Sequence, residues 1–183
     1  MDRGKEAIIC SGFGGQGMMV LGKVFASCGM KEGYKVTWMP SYGAEVRGGT
    51  AHSTIKIDTE EISSPMVSEV DTAIIMNGPS LDKFENKIRP GGLLILNTSM
   101  VERKTIRDDI DVVYAELTNE AIKLGNIKVA NVIAAGIFAA KKEIITKKIL
   151  IDVVSEMAKG REELVPVNLK AVELGMKIVN GEL

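Results

Sequence analysis

The chain has 183 residues, 45% of them hydrophobic, and since a domain takes about 150 residues this supports one domain, able to bury about 70% of its unfolded surface without disulfides or a structural metal. The 23 Lys plus Arg balance 24 Asp plus Glu, and a pI near 6.0 removes the positive footprint of a protein that works on nucleic acid or an anionic membrane. Cys10 and Cys28 are the only cysteines, too few for a disulfide framework, a thiolate zinc site or an iron–sulfur cluster on this chain alone, and they fit a reducing cytoplasm.

Of the 19 glycines, ten lie between Gly12 and Gly49, which marks the N-terminal quarter as the place to seek a ligand or partner surface. Asp2 to Glu6 followed by an uncharged stretch imitates a secretion signal in outline, but four glycines, Gln16 and Lys23 interrupt it. Ala7-Ile8-Ile9-Cys10 reads instead as a buried parallel strand, and Gly15 to Glu32 as a helix stopped by Gly33. Lys35 to Met39 predicts a strand, Pro40 to Thr50 a loop, and Ala51 to Asp58 an alternating strand with Ile55 and Ile57 inward and His52 outward.

Thr72 to Met76 predicts the next buried strand, Pro79 to Ile88 a short helix, and the strongly apolar Leu93 to Leu96, preceded by Gly91-Gly92, a further strand. Val112 to Ala115 reads as a strand and Thr118 to Leu124 as a helix closed by Gly125. The last third is helical, with segments Val129 to Lys142, Thr146 to Lys159 and Val167 to Asn180 punctuated by Gly160 and Pro166. Lys141, Lys142, Lys147 and Lys148 read as a solvated helix end. Strands alternating with helices predict a single α/β domain, residues 1–183, with a mostly parallel Rossmann-like sheet, helices on both faces and a helical C-terminal third. The longest apolar run, Val129 to Ala140, is too short to span a bilayer and contains Asn131.

Gly12-Phe13-Gly14-Gly15-Gln16-Gly17 satisfies G-x-G-x-x-G between a strand and a helix, where backbone N–H groups attract phosphate. Gly12, Gly14, Gly15, Gln16 and Gly17 are therefore candidate phosphate-binding residues. A dinucleotide site also needs an acid closing the second strand, and that strand ends Trp38-Met39-Pro40. The alternatives left are another phosphate-bearing ligand or a tight turn packed under another subunit. Gly17 to Lys23 fits G-x-x-x-x-G-K, but Val24 follows where a magnesium-binding hydroxyl belongs. Ser41-Tyr42-Gly43-Ala44-Glu45-Val46-Arg47-Gly48-Gly49-Thr50 puts an aromatic, an acid and a base in a glycine-bracketed loop at the same sheet end; Arg47 can grip an anion, or pair with Glu45. His52 is the only histidine and has no companion ligand for zinc. Asn131 is either a cap or a polar contact to a facing chain. Catalytic residues are not visible.

These segments, with Pro79-Ser80-Leu81-Asp82-Lys83-Phe84 and Pro90-Gly91-Gly92-Leu93, resemble the gamma subunit of 2-oxoacid:ferredoxin oxidoreductases, the pyruvate, ketoisovalerate and 2-oxoglutarate family, over nearly the whole chain. The likeness is greatest to the 2-oxoglutarate branch, although Ala44-Glu45-Val46 and His52-Ser53 stand where that branch has Pro-Glu-Met and Asn-Cys. The resemblance implies a cytoplasmic complex that decarboxylates a 2-oxoacid, makes an acyl-CoA and reduces ferredoxin. Thiamine diphosphate and iron–sulfur clusters would sit on alpha, beta and ferredoxin-like delta partners. Coenzyme A becomes the candidate ligand of Gly12 to Gly17, with Ser41, Tyr42, Gly43, Glu45, Arg47, Gly48, Gly49 and Asn131 as candidate interface or active-site-facing residues. A stand-alone nucleotide-binding dehydrogenase domain and a non-catalytic scaffold subunit are the other readings.

Overall fold

In a computed structural model the chain is described for residues 4–41 and 50–181. Six strands form one sheet: β1 Lys5–Gly12, β2 Lys35–Ser41, β3 Ala51–Asp58, β4 Val70–Ile75, β5 Ile88–Asn97 and β6 Asp111–Ala115, in the order β2-β3-β1-β4-β5-β6. β1, β4, β5 and β6 pair in parallel, whereas β3 runs antiparallel to both β1 and β2, so five strands share a direction and one is reversed. The mostly parallel sheet expected from the strand–helix alternation is therefore present. The reversed β3, which alternation alone did not reveal, enters as the returning arm of a β2–β3 hairpin, with Ser41 opposite His52.

The helices are α1 Met18–Lys31, α2 Gly78–Phe84, α3 Leu117–Lys123, α4 Ala130–Lys141, α5 Lys147–Met157 and α6 Val165–Asn180. They cover the two faces unequally. On one face α1 and α3 to α6 enclose the main aliphatic core around Ile8, Ile55, Ile74, Ile95 and Leu150, with the Phe25 and Phe138 rings 4.7 Å apart and tilted by 51°. On the other face α2 supplies Leu81 and Phe84 over Ile9, Ala73, Ile75, Leu94 and Leu96. Few aromatics are needed, as the composition indicates.

Several boundaries differ from expectation for identifiable reasons. α1 begins three residues late because Gly17, φ 76°, takes the left-handed cap position. The helix expected from Pro79 to Ile88 ends at Phe84, continues as a 3-10 turn over Glu85–Lys87, and gives way to β5 at Ile88. β5 starts at Ile88, so Gly91 and Gly92 lie inside the strand, at a register shift between Val70 and Thr72 of its neighbour, and not ahead of it. Pro166 sits in the first turn of α6, where its missing N–H costs nothing, so the helix starts at Val165. α4 crosses α6 with Gly136 against the Val172 carbonyl and Gly175 against the Ile133 carbonyl, a separation that no Cβ would permit.

The four-lysine helix end is a correction. Lys142 is folded back onto buried Glu6 at 3.2 Å, whereas Lys141, Lys147 and Lys148 are exposed, Lys141 in a surface pair with Asp111 at 2.8 Å. No helix among the described residues is long and apolar enough to cross a membrane.

Candidate functional site

Strands β1, β4, β5 and β6 all finish at one edge of the sheet, and there the chain makes its glycine turn. Gly12 is buried, since a Cβ would lie 2.9 Å from that of Met76. Gln16 fills the inside of the turn: its Oε1 accepts from the Phe13 N–H at 2.6 Å and its Nε2 donates to the Met76 carbonyl at 3.3 Å. Gly12 and Gln16 thus shape the turn from within. Gly14 and Gly15 are exposed, and Gly15, φ 95°, has open space where a side chain would stand. Gly17 ends the turn without any side-chain cap, and its carbonyl takes the Leu21 N–H at 2.8 Å, so the N–H groups of Met18, Met19 and Val20 point out of the helix end. Their dipole favours an anion.

Asn131 is not the cap of its own helix, whose N-cap position is Val129. It is buried in α4 and donates its Nδ2 to the Gly17 carbonyl at 3.2 Å, fastening α4 to the turn, while its Oδ1 has no partner among the described residues. The turn has two sides. A front recess of about 310 Å³ is lined by Phe13, Gly14, Gln16, Met100, Thr118 and Lys128; a rear cavity of about 640 Å³ opens between α1, α4, α5 and the start of α6.

A polar relay supports the front recess. Asn97, fully buried at the end of β5, donates to Thr118 Oγ1 at 2.9 Å and to the Met76 carbonyl at 3.4 Å, and its Oδ1 receives the Thr118 N–H at 3.3 Å. Asn77, two residues past the end of β4, accepts the Ser80 N–H at 2.9 Å and so caps α2. Sequence reading missed both, although a lone Asn closing Ile-Ile-Met or Leu-Ile-Leu is a visible signal. Lys128, which lines both recesses, was also missed, hidden in a helix–helix connection.

The hairpin carries the other candidates. Ser41 is half-buried at the end of β2; Tyr42, Gly43, Glu45, Arg47, Gly48 and Gly49 lie outside the described residues. His52 departs from expectation: it faces α2, its ring 5.0 Å from that of Phe84, and is half-buried rather than directed outward into solvent. Burial first, and the Lys83 and Lys87 charges with it, hold its pKa below the usual 6.5, so the ring is neutral. Beside it Ser11 Oγ donates to Ser80 Oγ at 2.8 Å.

The geometry weighs against a dinucleotide. In that fold the strand beside β1 ends in the acid that holds a ribose; here β3 occupies that place and presents Ala51 opposite Gly12, while β2 is a strand further out.

A family model described as pyruvate ferredoxin/flavodoxin oxidoreductase matches residues 7–178. Among relatives, the ketoisovalerate oxidoreductase subunit VorA of Methanothermobacter marburgensis is 31% identical over 90% of this chain, which spans only 34% of that longer protein. The 2-oxoglutarate synthase subunit KorC of Methanocaldococcus jannaschii is 27% identical, covering 95% of this chain and 94% of the relative. In fold the chain is similar to a keto/oxoacid ferredoxin oxidoreductase gamma subunit from Geobacter sulfurreducens, with TM-score 0.84, 24% identity and coverage of 96% and 99%. It is also similar to the 2-oxoglutarate:ferredoxin oxidoreductase of Magnetococcus marinus, solved with 2-oxoglutarate, coenzyme A and succinyl-CoA bound, with TM-score 0.88, 20% identity and coverage of 97% of this chain and 31% of the other. With the strand–glycine turn–helix unit and the sheet around it inside the matched span, this chain belongs to the pyruvate ferredoxin/flavodoxin oxidoreductase family.

Proposed function

We propose that the chain is the gamma-type subunit of a cytoplasmic 2-oxoacid:ferredoxin oxidoreductase and that its glycine turn receives a phosphate of coenzyme A. The complex would decarboxylate a 2-oxoacid, join the acyl group to coenzyme A and pass two electrons to ferredoxin. The observation that carries the ligand reading is the exposed Gly14-Gly15 backbone ahead of an α1 end that no side chain caps, with Lys128 lining the adjoining recess. A phosphate fits there, because Gly15 leaves open space and the helix end offers free N–H donors. The KorC relative, matched over nearly its whole length, favours 2-oxoglutarate as the oxoacid.

Thiamine diphosphate and the iron–sulfur clusters then belong to alpha, beta and ferredoxin-like delta partners. Both thiols of this chain are buried; burial, with Glu32 beside it, pushes the Cys28 thiol up to about 12, and burial pushes Cys10 higher still, so neither is a ready thiolate ligand. The role left to this subunit is to bind and orient coenzyme A against the partners' active site, with the Ser41 to Gly49 loop turned toward them and Arg47 pairing an anion.

Calorimetry with coenzyme A on the assembled complex tests the reading. Gly14→Asp, which sets a negative charge at an exposed position of the turn, is expected to weaken binding by about tenfold or more, or about 1.4 kcal/mol. Unchanged affinity would leave this subunit a scaffold.

A further inference from the structure

The two margins of the sheet are finished differently. β2 carries Pro40 and Lys35, the latter paired to Glu61 at 3.0 Å, and both residue types discourage a further strand from adding there. β6, Asp-Val-Val-Tyr-Ala, has no proline and no lysine, and its one charge is tied to Lys141. The chain entering, forming and leaving β6 also holds Met100, Ile106, Tyr114, Ile122 and Ile127, five of the eight exposed large apolar side chains among the described residues. An open strand in such company marks a surface that another chain covers.

One hydrogen bond tells which backbone groups of β6 are free. The Thr98 N–H donates to the Ala115 carbonyl at 2.9 Å, so Ala115 faces β5. Direction alternates along an extended strand, which turns Val113 and Asp111 toward β5 as well. The N–H and C=O groups of Val112 and Tyr114 then point away from the sheet, and among the described residues β6 pairs with no strand but β5. Two outward residues flanking one inward residue are self-complementary. In an antiparallel pair with its own copy centred on Val113, Val112 exchanges both bonds with the second copy's Tyr114, and Tyr114 with the second copy's Val112. Centring on Val112 or on Tyr114 instead carries the pairing out of the strand, to Ile110 or to Glu116.

We propose that β6 joins β6 of a second copy of this chain across a twofold axis at Val113, continuing the six-stranded sheet into one twice as wide. The side chains fit this register. Val112 comes opposite Tyr114 on the α2 face, a β-branched residue against an aromatic one, and Val113 meets Val113 on the other face. Asp111 comes opposite Ala115, so no like charges oppose each other. The antiparallel arrangement points the carboxyl edges of the two sheets in opposite directions, which leaves each glycine turn open whatever ligand it takes.

Disulfide trapping in the native complex tests the register, since Cys10 and Cys28 are buried and do not compete. Val113→Cys sets its sulfurs on a non-hydrogen-bonded pair with Cα atoms about 4.5 Å apart, inside the roughly 4.4 to 6.8 Å span of a disulfide. Mild oxidation is expected to give a reducible species of twice the 19.7 kDa of one chain, identified by mass spectrometry of the joined β6 peptides. Tyr114→Cys, which stands opposite Val112, is expected to give none. Adding Tyr114→Pro to Val113→Cys removes an outward N–H but no bond to β5, and is expected to slow the cross-linking about tenfold or more while the circular dichroism spectrum of the chain is unchanged. No cross-link from Val113→Cys, as much from Tyr114→Cys, or an undiminished rate with Tyr114→Pro overturns the proposal. A link to a different subunit also overturns it, and assigns this margin to a strand of that partner.

Discussion

The two ends of the sheet treat polar groups in opposite ways. At the amino end lie the three buried acids of the described chain, each held by a cation: Glu6 with Lys142, Asp71 with Arg89, and Glu85 with Arg103. Further donors complete each set, from Thr72 to Glu6, from the Ala7 N–H to Asp71, and from Thr105 to Glu85. At the carboxyl end there are no buried acids among the described residues, and Asn131 Oδ1, Asn77 Nδ2 and His52 Nδ1 are buried without partners. One end has completed its bonding within the fold. The other retains hydrogen-bonding capacity and unpaired positive charge, which are what an anionic ligand needs.

The largest expected effect lies at the completed end. Lys142→Met leaves Glu6 buried without its cation and is expected to cost about 3 kcal/mol at neutral pH, read by urea denaturation. Burial, outweighing the Thr72 hydrogen bond and the Lys142 charge, raises the Glu6 pKa above 4.5. The folded state thus holds that proton more tightly than the unfolded one, so the contribution of Glu6 is fully present below pH 4.5 and is lost as pH rises through its folded value. The variant should show a steeper loss over that same rise, and a pH-independent cost would contradict the buried-charge account.

At the other end, Gly17→Ala forces a side chain into a left-handed φ of 76° and into the Asn131 amide, with an expected cost of about 2 kcal/mol in the same measurement. A change below about 0.5 kcal/mol would mean that the turn relaxes freely. Asn131→Ala is the mildest, at about 1 kcal/mol, because the Gly17 carbonyl keeps the Leu21 N–H and an unpaired acceptor is removed along with the bond. A cost matching that of Lys142→Met would show the two ends to be equally structural and would erase the contrast.

Much of this was legible in the sequence because the signals are local. Ile8 and Ile9 before Gly12, the alternation of Ile55 and Ile57, and Gly125 after Leu124 each report their own element. The misread parts depend on distant partners. Gly91-Gly92 stand ahead of the apolar Leu93 to Leu96 run in the sequence, yet pairing with β4 draws the chain from Ile88 onward into β5, with Arg89 paired to Asp71. Lys142 looks solvated until Glu6, far away in the chain, is brought beneath it. The glycine turn was visible as a motif, but nothing local distinguishes Gly14 and Gly15, which face outward, from Gly12 and Gln16, which are used inside. The rear cavity left no pattern at all, since Val20, Val132, Val154 and Arg161 come from separate elements.

The reversed β3 has a consequence for how this fold can vary. Ser41 and His52 are register partners across the hairpin, and Lys83 reaches Thr50 at 3.4 Å, so both ends of the segment between β2 and β3 are moored at the carboxyl edge. Residues can be added or removed between those moorings without shifting any strand pairing, because the ladder of β2 on β3 runs away from the connection. Lengthening a closed connection is inexpensive, about 0.6 kcal/mol for each doubling. The hairpin therefore lets relatives change the reach and chemistry of one rim of the site independently of the sheet that carries it, a form of modularity that a helical crossover at this place would not provide.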